Sequence, residues 1–209
     1  MKKRNIFMIL ALLTTAQVFV SCSKDDDETD RQAGETKEVY IDASSSTVWH
    51  YYSFASEQII GSAEESDENS AAWAARKDWD IAVRRYNIRT NSGEFTTAGA
   101  LGGVATLDAA TTFASVQKVP ADASFVTDQA VTSTGMGGTT TVVRSEATVI
   151  LFKQNEDGSL VMPPVYLQAP VYIFRTADGK SYHKVLFTQY QNEEGATGHV
   201  KFDVAQIYP

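Results

Sequence analysis

The sequence predicts an all-β fold, a single and mainly antiparallel β domain with one or two short helices. Three observations carry that prediction. Runs of β-branched and aromatic residues recur along the chain from Glu38 onward. Turn residues separate several of them, namely Asn91-Ser92-Gly93, Glu156-Asp157-Gly158 and Ala177-Asp178-Gly179. No repeat of fixed period and no linker divides the stretch, so it reads as one domain.

In chain order, the expected strands are residues 39–41, 48–54, 81–88, 139–143, 147–152, 171–175, 182–190 and 200–204. The pair 171–175 and 182–190, joined across Asp178-Gly179, is the clearest hairpin. One segment breaks the strand pattern. Asp67-Glu68-Asn69-Ser70 offers N-cap residues, and the alanine-rich stretch from Ala71 to Lys77 continues them as a short helix. A strand then begins near Trp79-Asp80.

Ahead of the domain the chain carries an export signal. Lys2-Lys3-Arg4 form a basic n-region, and the apolar run 6–13 has the length of an h-region. A bilayer span needs about 20 apolar residues, so this run is too short to cross. Phe19-Val20-Ser21-Cys22 resembles a bacterial lipobox, with Phe19 where leucine is usual, and implies diacylation of Cys22, the only cysteine. Residues 1–21 are thus read as a lipoprotein signal peptide and 22–37 as a lipidated, acidic, disordered tether, leaving 38–209 as the β domain. The run Ser23-Lys24-Asp25-Asp26-Asp27-Glu28 solvates the tether. It also resembles the surface-export signal of Bacteroidetes lipoproteins, which implies the outer face of the outer membrane.

Formal net charge is −8, and loss of Lys2, Lys3 and Arg4 makes the mature chain more acidic still. That argues against nucleic acid, whose phosphates demand a basic surface. With one cysteine there is neither a disulfide framework nor a thiolate metal site.

Catalytic constellations are thin. His50, His183 and His199 lack zinc-type spacing, no Gly-x-Ser-x-Gly elbow occurs, and Gly99-Ala100-Leu101-Gly102-Gly103 lacks the lysine of a phosphate loop. His50 and His183 sit inside apolar strand runs, as structural histidines do, whereas His199 follows Gly198 at a strand edge. The chain is read as a non-enzyme.

Two methionines outside the leader draw attention. Met136 stands in Thr134-Gly135-Met136-Gly137-Gly138, and Met162 precedes Pro163-Pro164. Methionine normally fills gaps in apolar cores. A thioether among glycines or before two prolines is better placed to meet a ligand, and its soft sulfur can ligate iron or copper.

The stretch Trp79-Asp80-Ile81-Ala82-Val83-Arg84-Arg85-Tyr86-Asn87-Ile88-Arg89-Thr90-Asn91-Ser92-Gly93 resembles the signature of the HmuY-like haem-binding lipoproteins of Bacteroidetes. The Tyr-Ile-Asp-Ala-Ser opening, the Thr176-Ala177-Asp178-Gly179-Lys180 hairpin, the carboxy-terminal strand and the lipoprotein start are similar to members as well. The resemblance runs from about residue 38 to the end. It implies an all-β, hand-like fold that grips one haem (iron protoporphyrin IX) between two projecting loops, with two axial side chains on the iron. Members use a histidine pair or a methionine pair. No histidine lies between His50 and His183, so the histidine pattern fails here. The methionine version carries over to Met136 and Met162, which occupy the two loop regions.

What the resemblance further implies is a haemophore-like lipoprotein that captures haem at the cell surface, with host haemoproteins as a source. It would pass the haem to a TonB-dependent outer-membrane transporter. Tyr51, Tyr52, Trp73, Val165, Tyr166 and Leu167 are candidates for apolar pocket walls. The alternative is a β-rich surface adhesion or binding module for glycan or protein, with no haem function, because fold does not dictate function.

Overall fold

The computed structural model describes residues 31–135 and 138–209. The leader, Cys22, the acidic run after it and Met136 lie outside the described residues. Among the described residues thirteen strands and one α-helix follow one another, with a 3₁₀ turn at Phe113–Ser115. In order they are β1 (Lys37–Asp42), β2 (Val48–Ser53), β3 (Gln58–Glu64), α1 (Asp67–Ala74), β4 (Ile81–Arg84), β5 (Asn87–Thr90) and β6 (Gly103–Thr106). Then come β7 (Gln129–Gly135), β8 (Gly138–Arg144), β9 (Ile150–Phe152), β10 (Tyr166–Gln168), β11 (Tyr172–Arg175), β12 (Tyr182–Gln191) and β13 (Thr197–Ile207). The expected all-β class holds.

Two sheets carry the domain. One has five strands in the order β1-β13-β12-β11-β6, the other four in the order β3-β2-β4-β5, and every registered pair within them is antiparallel. Side chains alternate across a strand, and here both faces of each sheet are covered. Tyr52, Ile81, Val83, Phe174, Val185 and Phe202 point into a core shared by the two sheets. Trp49, Tyr51 and Ala82, one residue out of step, meet Trp73 of α1, Trp79 and Phe95 in a second cluster. Ala105, Ile173 and Ile207 form a third under the loop that carries Phe113 and Val116. This double coverage explains why the strand runs look continuously apolar.

Helix α1 begins where the Ser66 hydroxyl accepts the Asn69 N–H at 3.1 Å, with Asp67 and Glu68 in the first turn, where negative charge suits the helix dipole. It ends at Ala74, three residues short of Lys77, and Trp73 stacks flat on Tyr51 at 3.8 Å. Trp79 and Asp80 precede β4 rather than starting it. The expected strand 81–88 is in fact two strands, broken at Arg85-Tyr86. Arg85 adopts φ 55°, a costly conformation for a residue with a side chain. Its guanidinium compensates by donating to the carbonyls of Ser44 and Thr197, at 2.9 and 3.1 Å. Strands β3, β6, β7 and β10 were not expected from the sequence.

Contacts with the fold begin ahead of Glu38. The Gly34 N–H donates to the Gln206 carbonyl at 2.8 Å, and the Arg31 guanidinium lies over the Tyr208 ring.

Candidate functional site

Two antiparallel ribbons stand apart from the main sheets: β7 with β8, and β9 with β10. A short connection joins them along the edge of β5. The Arg89 guanidinium donates to the Val143 carbonyl at 2.9 Å and the Ser145 N–H to the Ile88 carbonyl at 3.0 Å. Asn87 bridges Thr148, and the Val149 N–H bonds the Tyr86 carbonyl at 3.0 Å. The β7–β8 ribbon therefore leaves one end of β5 and the β9–β10 ribbon leaves the other.

The β7–β8 ribbon is paired along its whole length, ending at Gly135 opposite Gly138. Met136 follows Gly135 in the chain and lies outside the described residues. The root of this ribbon is tied firmly. Asp128, just before β7, is fully buried, and its carboxylate accepts the Thr90 N–H at 2.9 and 3.0 Å and the Thr90 hydroxyl at 2.6 Å. Burial pushes the Asp128 carboxyl up to about 7, with the Thr90 hydrogen bonds and the Arg89 and Arg144 charges pulling the other way. Gly93, at φ 54°, packs so closely that a Cβ there would lie 2.2 Å from the Asp128 carbonyl oxygen. On the other leg, Arg89 lies between the rings of Trp49 and Phe95, at 4.1 and 4.0 Å.

The Trp79–Gly93 signature is thus scaffold. Trp79 bonds the Trp73 carbonyl through its ring N–H at 3.0 Å. The Asp80 carboxylate holds the N–H groups of Phe54 and Ala177, both at 2.8 Å. Arg89, Thr90 and Gly93 root the β7–β8 ribbon. None of these is the ligand-facing residue that a signature invites one to expect.

The β9–β10 ribbon carries Met162. Leu151 pairs with Leu167 and Phe152 with Tyr166. The next rung is irregular. The Lys153 N–H donates to the Val165 carbonyl at 2.9 Å, while the Lys153 carbonyl accepts the Val161 N–H at 3.0 Å. One residue is bonded to two partners four positions apart, so Met162-Pro163-Pro164 is extruded from the ladder. Proline supplies no N–H to rejoin it. Met162 is 73% exposed as a result.

The inner face of this ribbon is anchored by edge-to-face aromatic contacts. Phe152 meets Tyr86 at 5.1 Å and Tyr166 at 5.7 Å, and Tyr166 meets Tyr190 at 5.2 Å. The outer face is exposed and apolar. Of eight large hydrophobic side chains exposed among the described residues, Leu151, Leu160, Met162, Val165 and Leu167 all lie on this ribbon or its tip, which marks it as a contact surface.

Of the six residues expected as pocket walls, Val165, Tyr166 and Leu167 lie on this ribbon. Tyr51 and Trp73 do not qualify: both are buried against each other in the second cluster. Tyr52 faces the main core and touches a different cavity. Large aromatic rings were drawn inward because burying them is worth more than exposing them to a ligand.

That cavity, of about 760 Å³, is bordered by Tyr52, Phe54, Lys77, Asp80, Asp178 and His183. His183 stacks flat on Phe54 at 4.3 Å, its Nδ1 has no hydrogen-bond partner among the described residues, and burial pushes the imidazole down to about 4. A second cavity of about 1200 Å³ is polar-rimmed, with Asp108, Lys118, Asp122 and Glu146 on its border. Neither is lined by Met162. Of the groups that border the first, the Asp80 and Asp178 carboxylates already hold backbone N–H groups, and the exposed ribbon, which carries Met162, is the better candidate for a flat apolar ligand. His50 bonds Ser62 through Nδ1 at 2.8 Å, and His199 bonds the Tyr40 hydroxyl at 2.7 Å, so both are structurally engaged. Among the described residues no cluster of three His, Cys, Asp or Glu side chains could hold a metal ion. No helix among them is long and apolar enough to cross a membrane.

A neutral thioether beside an aliphatic face suits a flat apolar ring that carries a soft-ligated iron. The family described as HmuY protein matches residues 45–204. No curated protein matches the chain. Among solved structures, the chain is similar to a protein from Bacteroides vulgatus described as HmuY-like and heme binding, with 23% identity over 81% of this chain and 90% of that one, TM-score 0.57. It is similar to a protein from Bacteroides fragilis described as a lipoprotein, with 22% identity over 82% and 89%, TM-score 0.54. It is also similar to the apo form of a HmuY analogue from Tannerella forsythia, with 22% identity over 84% and 98%, TM-score 0.54. At these identities the structures establish a shared fold.

Proposed function

The chain belongs to the HmuY family, and from that premise we propose that it is a haem-binding lipoprotein without enzymatic activity. In this reading Cys22 is lipidated and anchors the protein at the outer face of the outer membrane. Haem taken from host haemoproteins is held there and passed to a TonB-dependent outer-membrane transporter. The thioethers of Met136 and Met162 are the axial ligands to the iron.

The observation that carries the reading is the extruded Met162, exposed at the edge of an apolar ribbon face where a soluble protein gains nothing by leaving it bare. The descriptions of the relatives from Bacteroides vulgatus and Bacteroides fragilis support haem binding and lipidation in turn. Two neutral thioethers favour reduced iron and raise its potential relative to histidine ligation.

The test is a haem titration of the purified protein, followed by absorbance in oxidised and reduced samples. A Soret band is expected on binding, and the double substitution Met136→Ala with Met162→Ala should abolish it under reducing conditions. Wild-type affinity in the double variant would sink the ligand assignment. No spectral change with ferric or ferrous haem would sink the haem reading and favour a module that binds glycan or protein.

A further inference from the structure

A two-stranded antiparallel ribbon packed on one side should alternate apolar-in with polar-out. The β9–β10 ribbon does not. Its inner face carries Ile150, Phe152 and Tyr166 against the core. Its outer face carries Leu151, Val165 and Leu167, exposed at 44%, 41% and 44%. The outer face has one charged member. Lys153 stands opposite Val165, two residues beyond Leu151, and so projects on the same side as Leu151 and Leu167. It is exposed, and its ammonium has no hydrogen-bond or ion-pair partner among the described residues.

This makes a compact arrangement. Leu151 and Leu167 form one cross-strand pair, with Cβ atoms about 5 Å apart. Lys153 and Val165 form the next on that face, about 7 Å along the strands. The extruded Met162 leaves the ladder at that same rung, because Lys153 bonds both Val161 and Val165. Aliphatic area, an unpaired cation and an exposed thioether therefore adjoin. A lysine stem can lie along apolar surface while its head reaches an anion at the edge.

Resting on the haem reading above, we infer that the outer face of the β9–β10 ribbon is the seat of the tetrapyrrole ring, and that Lys153 pairs with one of the ring's carboxylates. The ligand class is a flat apolar ring bearing carboxylates at its rim. Leu151, Val165 and Leu167 supply the apolar contact, and Lys153 supplies selection for the free acid over an uncharged ester.

The test uses protoporphyrin IX and its dimethyl ester, both without iron, so that axial ligation does not enter. Binding to the full chain is followed by porphyrin fluorescence. Wild type should prefer the free acid by about threefold to fivefold, the range of an exposed ion pair. Lys153→Gln should bind both forms alike. Leu151→Ser with Leu167→Ser should weaken both by about tenfold or more, as loss of apolar burial dictates. A preference retained in Lys153→Gln overturns the carboxylate pairing. Unchanged affinity in the double leucine variant, or a change only in self-association by ultracentrifugation, overturns the ring seat. Haem binding by wild type without binding of metal-free porphyrin overturns this assignment and leaves the haem reading standing. Absence of both removes the two together.

Discussion

Thr90 gives both its backbone N–H and its hydroxyl to the buried carboxylate of Asp128. That pair roots the ribbon that leads to Met136, and it joins the edge strand β5 to the start of β7. Asp128→Ala would leave the buried Thr90 N–H without a partner, the Thr90 hydroxyl keeping Ser92 at 2.7 Å, at a cost of about 1–3 kcal/mol. Asp128→Asn keeps an acceptor for the Thr90 N–H and should cost less. Urea unfolding of the three proteins checks the order, and equal midpoints for wild type and Asp128→Ala would contradict the clamp.

Two buried groups titrate in opposite directions. The His183 imidazole is held down to about 4 from its ordinary 6.5, so the folded state binds fewer protons than the unfolded between those values and loses stability as pH falls through that window. The Asp128 carboxyl is pushed up to about 7 from 3.8, so the folded state binds more protons there and gains stability as pH falls from 7 toward 4. Each contributes a slope of at most about 1.4 kcal/mol per pH unit. Between pH 4 and 6.5 the two slopes oppose each other. Relative to wild type, His183→Phe should gain stability, and Asp128→Asn should lose it, as pH falls across that range. Parallel pH profiles for all three in urea titrations would show that these groups do not set the acid response.

The aromatic contacts of Phe152 and Tyr166 hold the β9–β10 ribbon to the body. Tyr166→Ala should loosen it, with a loss of about 1–3 kcal/mol. Hydrogen exchange at the amides of Lys153 and Val161 should quicken more than exchange in β12 and β13. A uniform change across the molecule would mean that the ring serves global stability and not the placement of this ribbon.

Gly61 lies beneath the Trp73 ring, and a Cβ there would sit 2.7 Å from two of its carbons. Gly61→Ala should force the indole off Tyr51 and cost about 1–3 kcal/mol. The near-ultraviolet circular dichroism of the Tyr51–Trp73 stack should change with it. An unchanged spectrum and midpoint would show that β3 yields instead.

Much of this fold is legible locally. The glycines of the three turns expected from sequence, Gly93, Gly158 and Gly179, all take positive φ, and the strands on either side of Asp178-Gly179 pair as a hairpin. The helix was expected, but Ser66 caps it and residues 67–70, expected as cap residues, form its first turn. The break at Arg85 was not legible, because a left-handed arginine is held by carbonyls at Ser44 and Thr197, far away in the chain. Nor was the burial of Tyr51 and Trp73, which depends on α1 folding back over the four-stranded sheet. The apolar outer face did leave a trace, since Ile150-Leu151-Phe152 and Val165-Tyr166-Leu167 have no polar alternation. It takes the register to turn that trace into a face.

By itself the sequence determined the β class, the turns, the presence of the helix and the prominence of Met136 and Met162, because side-chain alternation and turn chemistry act within a few residues. Only the tertiary structure decided that the Trp79–Gly93 signature is scaffold and that Lys153 extrudes Met162 beside an apolar face. Those outcomes rest on hydrogen bonds and burial between segments distant in sequence, and no local pattern encodes which partners will meet.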